Sequence, residues 1–401
     1  MGRQAVILAG GRGTRLGEIT RNTPKPLLQV DGQPFITLLI EELRRFGFDD
    51  LVILVGGYRT EFERALHRRP ISQARVKLVP EPKPAGTAGA LIYAAEFLRS
   101  RFLLMNGDSF FDINLLPLVI GKNPGSWLAR VALCHSQDTG RYGTVRLSHG
   151  RITDFGEKSG FGPGLINAGI YWMKREILNE IGTGPSSIET DVLPGLASRG
   201  MLRGRVFDGN FIDIGLPDDL ARGRRLISEW RRRPAVFLDR DGVLNRDHGY
   251  VHRREDFEWI HGAKKAIRLL NDRGYLVFVV TNQAGVARGY YEMAHVERLH
   301  RWMNAELRKS GAHIDRYYIC PHHPDFDGEC DCRKPRPGML LRAMDDWTVD
   351  PSRSFLVGDK VTDLQAAEHA RIAGHIFESG DLYDTVSQII ATRPAERGQS
   401  S

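Results

Sequence analysis

Cysteine is scarce in this chain, at four of 401 residues. Three are bunched at Cys320, Cys330 and Cys332, a spacing that suits a metal and not a disulfide framework. The fourth, Cys134, lies in an apolar run and reads as a small core residue. Long apolar runs are also missing. None approaches the roughly 20 residues of a membrane span, and Met1-Gly2-Arg3-Gln4 leads straight into a strand without a signal-peptide pattern. The expectation is a cytoplasmic protein with no membrane partner. Nor does an aromatic platform accompany the basic residues. Net charge is +7 and the pI near 9.3, carried in part by Arg222, Arg224, Arg225 and the run Arg231-Arg232-Arg233. Arginines without interleaved aromatics read as a solvated junction and an attraction for phosphorylated small molecules, so nucleic acid is not the expected partner.

What is present is 41% apolar and 26% charged residues, over a length that asks for two or three domains. The stretch that organises the chain is Phe237-Leu238-Asp239-Arg240-Asp241-Gly242-Val243-Leu244-Asn245. Ala235 to Leu238 is a short apolar run that predicts a buried strand. Residues i and i+2 of a strand share a side, so Asp239 and Asp241 can face one site. Two acids leaving a buried strand suit a divalent cation with a phosphate. Taken alone, D-x-D-G also fits a strand-ending turn with two solvated acids.

The first half opens with another predicted strand, Gln4 to Ala9, and then Gly10-Gly11-Arg12-Gly13-Thr14-Arg15-Leu16. Glycines after a strand let backbone N–H groups close on a phosphate, and Arg15 adds a fixed charge. Pro24-Lys25-Pro26 holds a lysine on a stiff turn. Strands at Leu51 to Val55, Val76 to Pro80 and Phe102 to Met105 lead into Gly56-Gly57-Tyr58, Glu81 to Ala90, and Asn106-Gly107-Asp108. Alternating strands and helices predict a mostly parallel sheet covered on both faces, with ligands at its C-terminal edge.

Together with Arg141-Tyr142-Gly143, Glu157-Lys158, Asn167-Ala168-Gly169 and Asp213-Ile214-Gly215, these segments resemble the sugar-1-phosphate nucleotidyltransferases over roughly residues 3–228. The resemblance implies a Rossmann-like, GT-A-like domain that joins a sugar 1-phosphate to a nucleoside triphosphate and releases pyrophosphate. It implies nucleotide contacts from Leu8, Gly10, Gly11, Gly13, Thr14, Arg15 and Lys25, with Arg15 and Lys25 acting on the reacting phosphates. Glu81, Gly86 and Thr87 match the base-recognition segment. Asp108 and Asp213 match the carboxylates that hold Mg²⁺. Tyr142, Gly143, Glu157, Lys158 and Asn167 match the sugar-phosphate pocket. Many relatives add a left-handed β-helix, but no hexapeptide repeat appears here. Assembly through such a domain is not implied, and the oligomeric state stays open between monomer and small homo-oligomer.

Leu216 to Trp230 predicts a helix with acids in its first turn, and Arg231-Arg232-Arg233-Pro234 ends it. This places a domain at 1–230, a short basic linker at 231–234, a second domain at 235–390 and a disordered tail at 391–401. In the second domain a helix is expected from about His261 to Arg273. The strand Tyr275 to Val280 leads into Thr281-Asn282-Gln283, and Phe355-Leu356-Val357 leads into Gly358-Asp359-Lys360 and Asp363. Separated segments thus bring two acids, a hydroxyl, Lys334 and a further acid to strand ends or nearby loops, which D-x-D-G alone does not do.

These motifs resemble the haloacid dehalogenase superfamily of phosphatases over roughly residues 235–390. The resemblance makes Asp239 the nucleophile and Asp241 the general acid/base. Thr281 and Lys334 would steady the phosphoryl group, and Asp239, Asp359 and the Asp241 carbonyl would hold Mg²⁺. The C-x-H of Cys320 and His322 with the C-x-C of Cys330 and Cys332 offers a closed tetrahedral set for structural Zn²⁺. His323 is the alternative to His322, though the C-x-H spacing favours His322. Within the superfamily this loop is shared by histidinol phosphatases and D-glycero-D-manno-heptose 1,7-bisphosphate phosphatases. Asp247-His248-Gly249-Tyr250-Val251-His252 and Thr281 to Gly289 are similar to the heptose enzymes. Carried over, Asp247, His248, Gly249, Tyr250, Thr281, Asn282, Gln283, Ala284, Arg333, Lys334 and Lys360 would meet the sugar bisphosphate, with Arg333 also at the chemistry. The cysteine loop is shorter than in many of them.

The first half is also similar to the D-glycero-α-D-manno-heptose 1-phosphate guanylyltransferases, through Tyr142-Gly143 and Gly164-Leu165-Ile166-Asn167. The two resemblances converge on consecutive steps. The implied enzyme removes the 7-phosphate from D-glycero-α-D-manno-heptose 1,7-bisphosphate and transfers GMP from GTP to the heptose 1-phosphate, toward a surface polysaccharide. The alternative joins a mannose-like sugar 1-phosphate nucleotidyltransferase to a histidinol-type or other sugar phosphatase. A Gly-Thr turn with Glu81 can serve several bases through backbone contacts, so the base is open at this point.

Overall fold

The computed structural model describes residues 3–11, 13–21, 23–68, 74–121, 126–137, 139–140, 142–155 and 162–393. The expected site residues Glu157 and Lys158, Arg12 and Arg141 of the quoted motifs, and all but the first three residues of the expected tail lie outside them. The chain divides into two compact units, the first ending at Trp230 and the second starting at Arg231.

The first unit runs through β1 (Arg3–Leu8), β2 (Gln29–Val30), β3 (Gln33–Pro34), β4 (Phe48–Leu54), β5 (Arg75–Val79), β6 (Arg101–Asn106), β7 (Ser109–Asp112), β8 (Ala129–Ser136), β9 (Val145–Ser148), β10 (Arg151–Phe155), β11 (Gly164–Lys174), β12 (Leu202–Val206) and β13 (Asn210–Asp213). Nine of these make one sheet in the order β5-β4-β1-β6-β11-β8-β12-β10-β9. From β5 to β6 every neighbour is parallel, whereas β11 pairs antiparallel with both β6 and β8, and β10 with both β12 and β9. For β9 and β10 the antiparallel pairing has a local cause: a tight turn through His149 and Gly150 joins them, and no crossover helix intervenes.

Continuous apolar runs form the central strands because both faces are covered. Along β1, Ala5 and Ile7 pack into one core with Phe35, Leu39 and Leu103. Val6 points the other way, to Leu104, Leu133 and Tyr171. The helix Phe35–Arg45 covers the first face and buries Leu39 and Leu43 at a one-turn spacing. Truncating a side chain such as Leu39 to alanine there costs about 2–5 kcal/mol, because the cavity collapses only in part. Cys134 is buried as expected of a small core residue, and burial pushes its thiol up to about 12.

In the second unit β14 (Ala235–Leu238), β15 (Leu276–Asn282), β16 (Arg316–Cys320), β17 (Phe355–Gly358) and β18 (Ala373–Ile376) form a parallel sheet in the order β16-β15-β14-β17-β18. The strand carrying the two aspartates is central. All four of its residues are fully buried, in accord with the apolar run that predicts it. The helix Ala263–Asp272 buries Ala263, Ala266, Ile267 and Leu270, one stripe at i, i+3, i+4 and i+7. Among the described residues no helix is long and apolar enough to cross a membrane.

Candidate active sites

In the first unit a cavity of about 830 Å³ opens at the C-terminal edge of β1, β4 and β6. Leu8, Gly10, Gly11, Gly13, Thr14, Arg15, Lys25, Glu81, Gly86, Thr87 and Asp108 all line it. The Lys25 ammonium is almost wholly buried, 2.7 Å from Asp108 Oδ2 and 3.5 Å from Asp213 Oδ1. A Cβ at Gly215 would meet Asp213 Oδ1 at 2.8 Å, Lys25 Nζ at 3.2 Å and Arg15 Nη2 at 3.5 Å. The missing side chain thus marks where acid, lysine and arginine converge. Burial, then the neighbouring Asp108, pushes the Asp213 carboxyl above its ordinary range, and Lys25 opposes them. Buried Asp213 Oδ1 has no hydrogen-bond partner among the described residues. Two convergent carboxylates, one with an unused buried oxygen, are a hard-oxygen set that fits Mg²⁺. Burial also pushes the Glu81 carboxyl up, against the backbone groups of Gly56 and Ala85 that favour its charge.

The structure does not bring Tyr142, Gly143 or Asn167 to that cavity wall. Tyr142 packs edge-on against Phe211 at 5.7 Å. Asn167 donates to the Tyr171 hydroxyl at 2.8 Å and accepts from Gly169 N at 3.0 Å. Tyr171 in turn donates to Glu189 Oε1 at 3.2 Å, and Thr87 donates to Glu189 Oε2 at 2.9 Å. A half-buried chain therefore links Thr87 on the nucleotide side to Asn167 on β11. Glu189 is its hub, and sequence reasoning missed it. Nothing in Ser187-Ile188-Glu189-Thr190 separates that acid from an exposed one.

The second unit has a smaller cavity of about 220 Å³, lined by Asp239, Asp241, Asp247, Gly249, Tyr250, Thr281, Asn282, Gln283, Ala284, Lys334 and Lys360. Tyr291 and Thr362 join them without having been expected, as does Asp363, which the sequence motif named without giving it a role. Lys334 Nζ bridges Asp239 Oδ1 at 3.0 Å and Asp363 Oδ1 at 2.5 Å. Burial works against the Lys334 charge, but the two carboxylates more than offset it and hold the ammonium above its ordinary range. Burial pushes the Asp239 carboxyl up to about 7, with Lys334 opposing and Asp363 assisting. Asp239 Oδ1 also accepts from Arg240 N at 2.7 Å. Asp241 is gripped from three directions. The fully buried Arg240 guanidinium reaches both of its oxygens at 3.0 and 2.8 Å, Asn245 donates at 3.0 Å, and Gln283 donates at 2.9 Å. Gln283 Nε2 also donates to Thr281 Oγ1 at 2.8 Å, while its Oε1 accepts from the Tyr291 hydroxyl at 2.9 Å.

Asp359 lies beside these groups, its oxygens within 4.8 Å of oxygens on Asp239 and Asp363. Its Oδ1 is buried with no hydrogen-bond partner among the described residues. Gly242, at φ 89°, makes this approach possible, since a Cβ there would stand 2.3 Å from Asp359 Oδ2. The convergent oxygens of Asp239 and Asp359 fit Mg²⁺. Two expected residues are placed elsewhere. Arg333 donates to the His322 carbonyl at 3.0 Å and does not line the cavity. His248 is exposed and faces Glu258 at 3.7 Å.

The thiols of Cys320, Cys330 and Cys332 meet within 4.8 Å of one another. Three soft donors this close suit Zn²⁺. His322 is not gathered with them. Its Nδ1 pairs with Asp327 Oδ2 at 2.6 Å, and Asp327 is itself fixed by the His323 N–H at 2.8 Å. The helical turn Pro324–Asp327 thus presents a carboxylate that captures the imidazole.

Comparisons with known proteins agree with this division. The nucleotidyl transferase family matches residues 4–229, and a HAD-hydrolase-like family matches residues 331–387. The D-glycero-beta-D-manno-heptose-1,7-bisphosphate 7-phosphatase of Haemophilus ducreyi is 50% identical over 143 residues, 34% of this chain and 79% of its own. That of Rhodopseudomonas palustris is 48% identical over 164 residues, 40% of this chain and 91% of its own. The crystal structure of HddC from Yersinia pseudotuberculosis aligns with a TM-score of 0.51 at 28% identity, over 57% of this chain and all of HddC. HddC complexed with GMP-PN aligns at 0.50 and 27% over the same shares. By its first unit the chain belongs to the nucleotidyl transferase family, and by its second to the heptose bisphosphate phosphatases of the haloacid dehalogenase type.

Proposed function

We propose that this chain is a bifunctional enzyme that dephosphorylates a D-glycero-D-manno-heptose 1,7-bisphosphate at C7 and transfers GMP from GTP to the heptose 1-phosphate. The observation that carries the reading is the pair of separate lysine–carboxylate sites. Lys25 with Asp108 and Asp213 stands in one unit, and Lys334 with Asp239 and Asp363 in the other.

In the phosphatase unit Asp239 Oδ1 is occupied by Lys334 and by Arg240 N, which leaves Oδ2 to attack the C7 phosphorus. Asp241 gives a proton to the departing C7 oxygen and later takes one from the water that opens the aspartyl-phosphate. Its threefold grip fixes that carboxylate for both transfers. Lys334 and Thr281 steady the phosphoryl oxygens. Asp239, Asp359 and the Asp241 carbonyl would hold Mg²⁺, which would supply positive charge beside the anionic nucleophile and the phosphate dianion. The thiolates of Cys320, Cys330 and Cys332, with His322 as the fourth ligand, would hold Zn²⁺, which would brace the loop that carries Lys334.

In the nucleotidyltransferase unit the sugar phosphate oxygen attacks the α-phosphorus of GTP in line and pyrophosphate leaves. Arg15 and Lys25 neutralise charge on the phosphates; Asp108 and Asp213 would hold Mg²⁺, which would add to that neutralisation. The bond between C1 and its oxygen stays intact throughout, so both steps must share one anomer. The guanylyltransferase resemblance favours α, whereas the phosphatase relatives are named for the β form. The test offers four nucleoside triphosphates with α- and β-heptose 1-phosphate and reads pyrophosphate, then offers both bisphosphates and reads phosphate. GTP with one anomer, matched by the same bisphosphate anomer, is expected. Activity confined to mannose 1-phosphate, or to histidinol phosphate, would sink the reading.

A further inference from the structure

Two tyrosines follow Gly289 on the way into the helix Met293–Lys309, and the fold uses them differently. Tyr290 is exposed, whereas Tyr291 is buried and reaches the phosphatase cavity. The space for the Tyr291 ring comes from a glycine six residues earlier. A Cβ at Gly285 would stand 2.3 Å from its Cε1, 2.5 Å from its Cζ and 2.7 Å from its hydroxyl oxygen. His252 stacks on the ring, with centroids 4.4 Å apart and planes inclined by 14°. A phenylalanine would fill this slot, so packing alone does not account for the hydroxyl. A buried phenol needs a partner, and the Tyr291 hydroxyl donates to Gln283 Oε1 at 2.9 Å.

That bond decides which way the buried Gln283 amide faces. With its oxygen held by Tyr291, the amide nitrogen stands 2.9 Å from Asp241 Oδ2 and 2.8 Å from Thr281 Oγ1. Rotated by half a turn, the amide would set its carbonyl oxygen against the carboxylate and repel it. The same oxygen would accept the Thr281 hydroxyl proton. In the orientation found, Thr281 Oγ1 accepts from Gln283, which leaves the hydroxyl proton for a phosphoryl oxygen. Arg240 and Asn245 also hold Asp241. Gln283 adds the tie between that carboxylate and Thr281.

We propose that Tyr291 is a positioning residue of the phosphatase reaction. Its hydroxyl locks the Gln283 amide, so that one NH₂ group holds Asp241 and leaves the Thr281 proton to the phosphoryl group. The proposal rests on the phosphatase function given above. Without the hydroxyl, a buried carbonyl loses its donor, and such a loss is costly. Rotation of the amide then recovers a hydrogen bond by taking the Thr281 proton. The price falls on the reaction and not on packing, because the ring, its glycine slot and the His252 stack all remain.

The full chain, its Tyr291→Phe and Gln283→Met variants and the double variant are assayed for phosphate release from D-glycero-D-manno-heptose 1,7-bisphosphate with Mg²⁺. Tyr291→Phe should cut kcat about tenfold, the worth of one neutral hydrogen bond, with KM within twofold. Because the hydroxyl acts through the amide, the double variant should be no slower than Gln283→Met. Pyrophosphate release should be the same throughout. A Tyr291→Phe kcat within twofold of the wild type overturns the proposal, as do losses that multiply in the double variant. A second reading needs no turnover: hydrogen exchange of the Gln283 side-chain amide, followed by heteronuclear NMR of glutamine-labelled protein and identified by its loss in Gln283→Met. Exchange should quicken about tenfold in Tyr291→Phe, and unchanged exchange overturns the proposal. A wild type that releases no phosphate would sink the function reading alone, and the amide exchange then decides this one.

Discussion

The Lys334 ammonium stands 2.5 Å from Asp363 Oδ1, with their side chains only 2% and 1% exposed. Neither group tolerates that burial alone, so Asp363 holds the lysine where Asp239 needs it. Removing one partner of a buried pair costs about 3–5 kcal/mol. Asp363→Asn keeps the shape and loses the charge. It should lower the urea midpoint of the phosphatase unit and cut phosphate release by about a hundredfold. Release within twofold of the wild type would show that Asp363 does not position Lys334.

The two chemistries should separate cleanly. Asp239→Asn is expected to abolish phosphate release from the bisphosphate while pyrophosphate release with heptose 1-phosphate continues. Asp108→Ala should do the converse. A folded variant that loses both activities would refute the two-site reading.

How much of this was legible follows from where each residue sits. Asp239, Thr281 and Asp359 lie at the ends of strands written as uninterrupted apolar runs, and Asp108 follows another. A run of that kind announces both the strand and its edge. Lys25 stood out because two prolines flank it. Asp363 and Glu189 act across large sequence separations, through Lys334 and through Thr87 and Tyr171, and no local pattern encodes such a pairing. The antiparallel half of the first sheet was hidden for a similar reason: strand direction depends on partners that periodicity does not name. For Arg333 and His322 the motif was legible and the local partners were not. Their motif spacing is right, but a neighbouring carbonyl and the Asp327 carboxylate engage them instead.

Stability of the phosphatase unit should depend on pH through His300. The ring is 3% exposed, stacks on Tyr317 at 4.1 Å and has Arg240 Nη1 at 3.3 Å from its Nε2. Burial, then the Arg240 charge, holds its pKa well below the ordinary value. The unfolded chain therefore binds a proton that the folded one refuses. Stability is complete above the unfolded value, about 6.5, and is lost as pH falls below it, by up to about 1.4 kcal/mol per pH unit. Urea unfolding between pH 7.5 and 5 should show a shallower acid decline for His300→Gln than for the wild type. Parallel declines would remove His300 as the cause.

The thiol cluster gives a metal prediction. Cys330→Ser, or treatment of the wild type with a zinc-selective chelator in excess Mg²⁺, should lower bound zinc and phosphate release together and leave pyrophosphate release unchanged. Full phosphatase activity in zinc-free protein would remove the bracing role.

Asn282, at the end of β15, both donates to the Lys334 carbonyl and accepts from the Lys334 N–H, each at 3.2 Å. One side chain thereby imitates a rung of the sheet. The lysine is thereby registered to the strand tip as well as to the loop that precedes it. Since β15 lies directly beside β14, the amide ties the cation to the strand next to the one that carries Asp239. Loop and sheet share the work of keeping the charge in register.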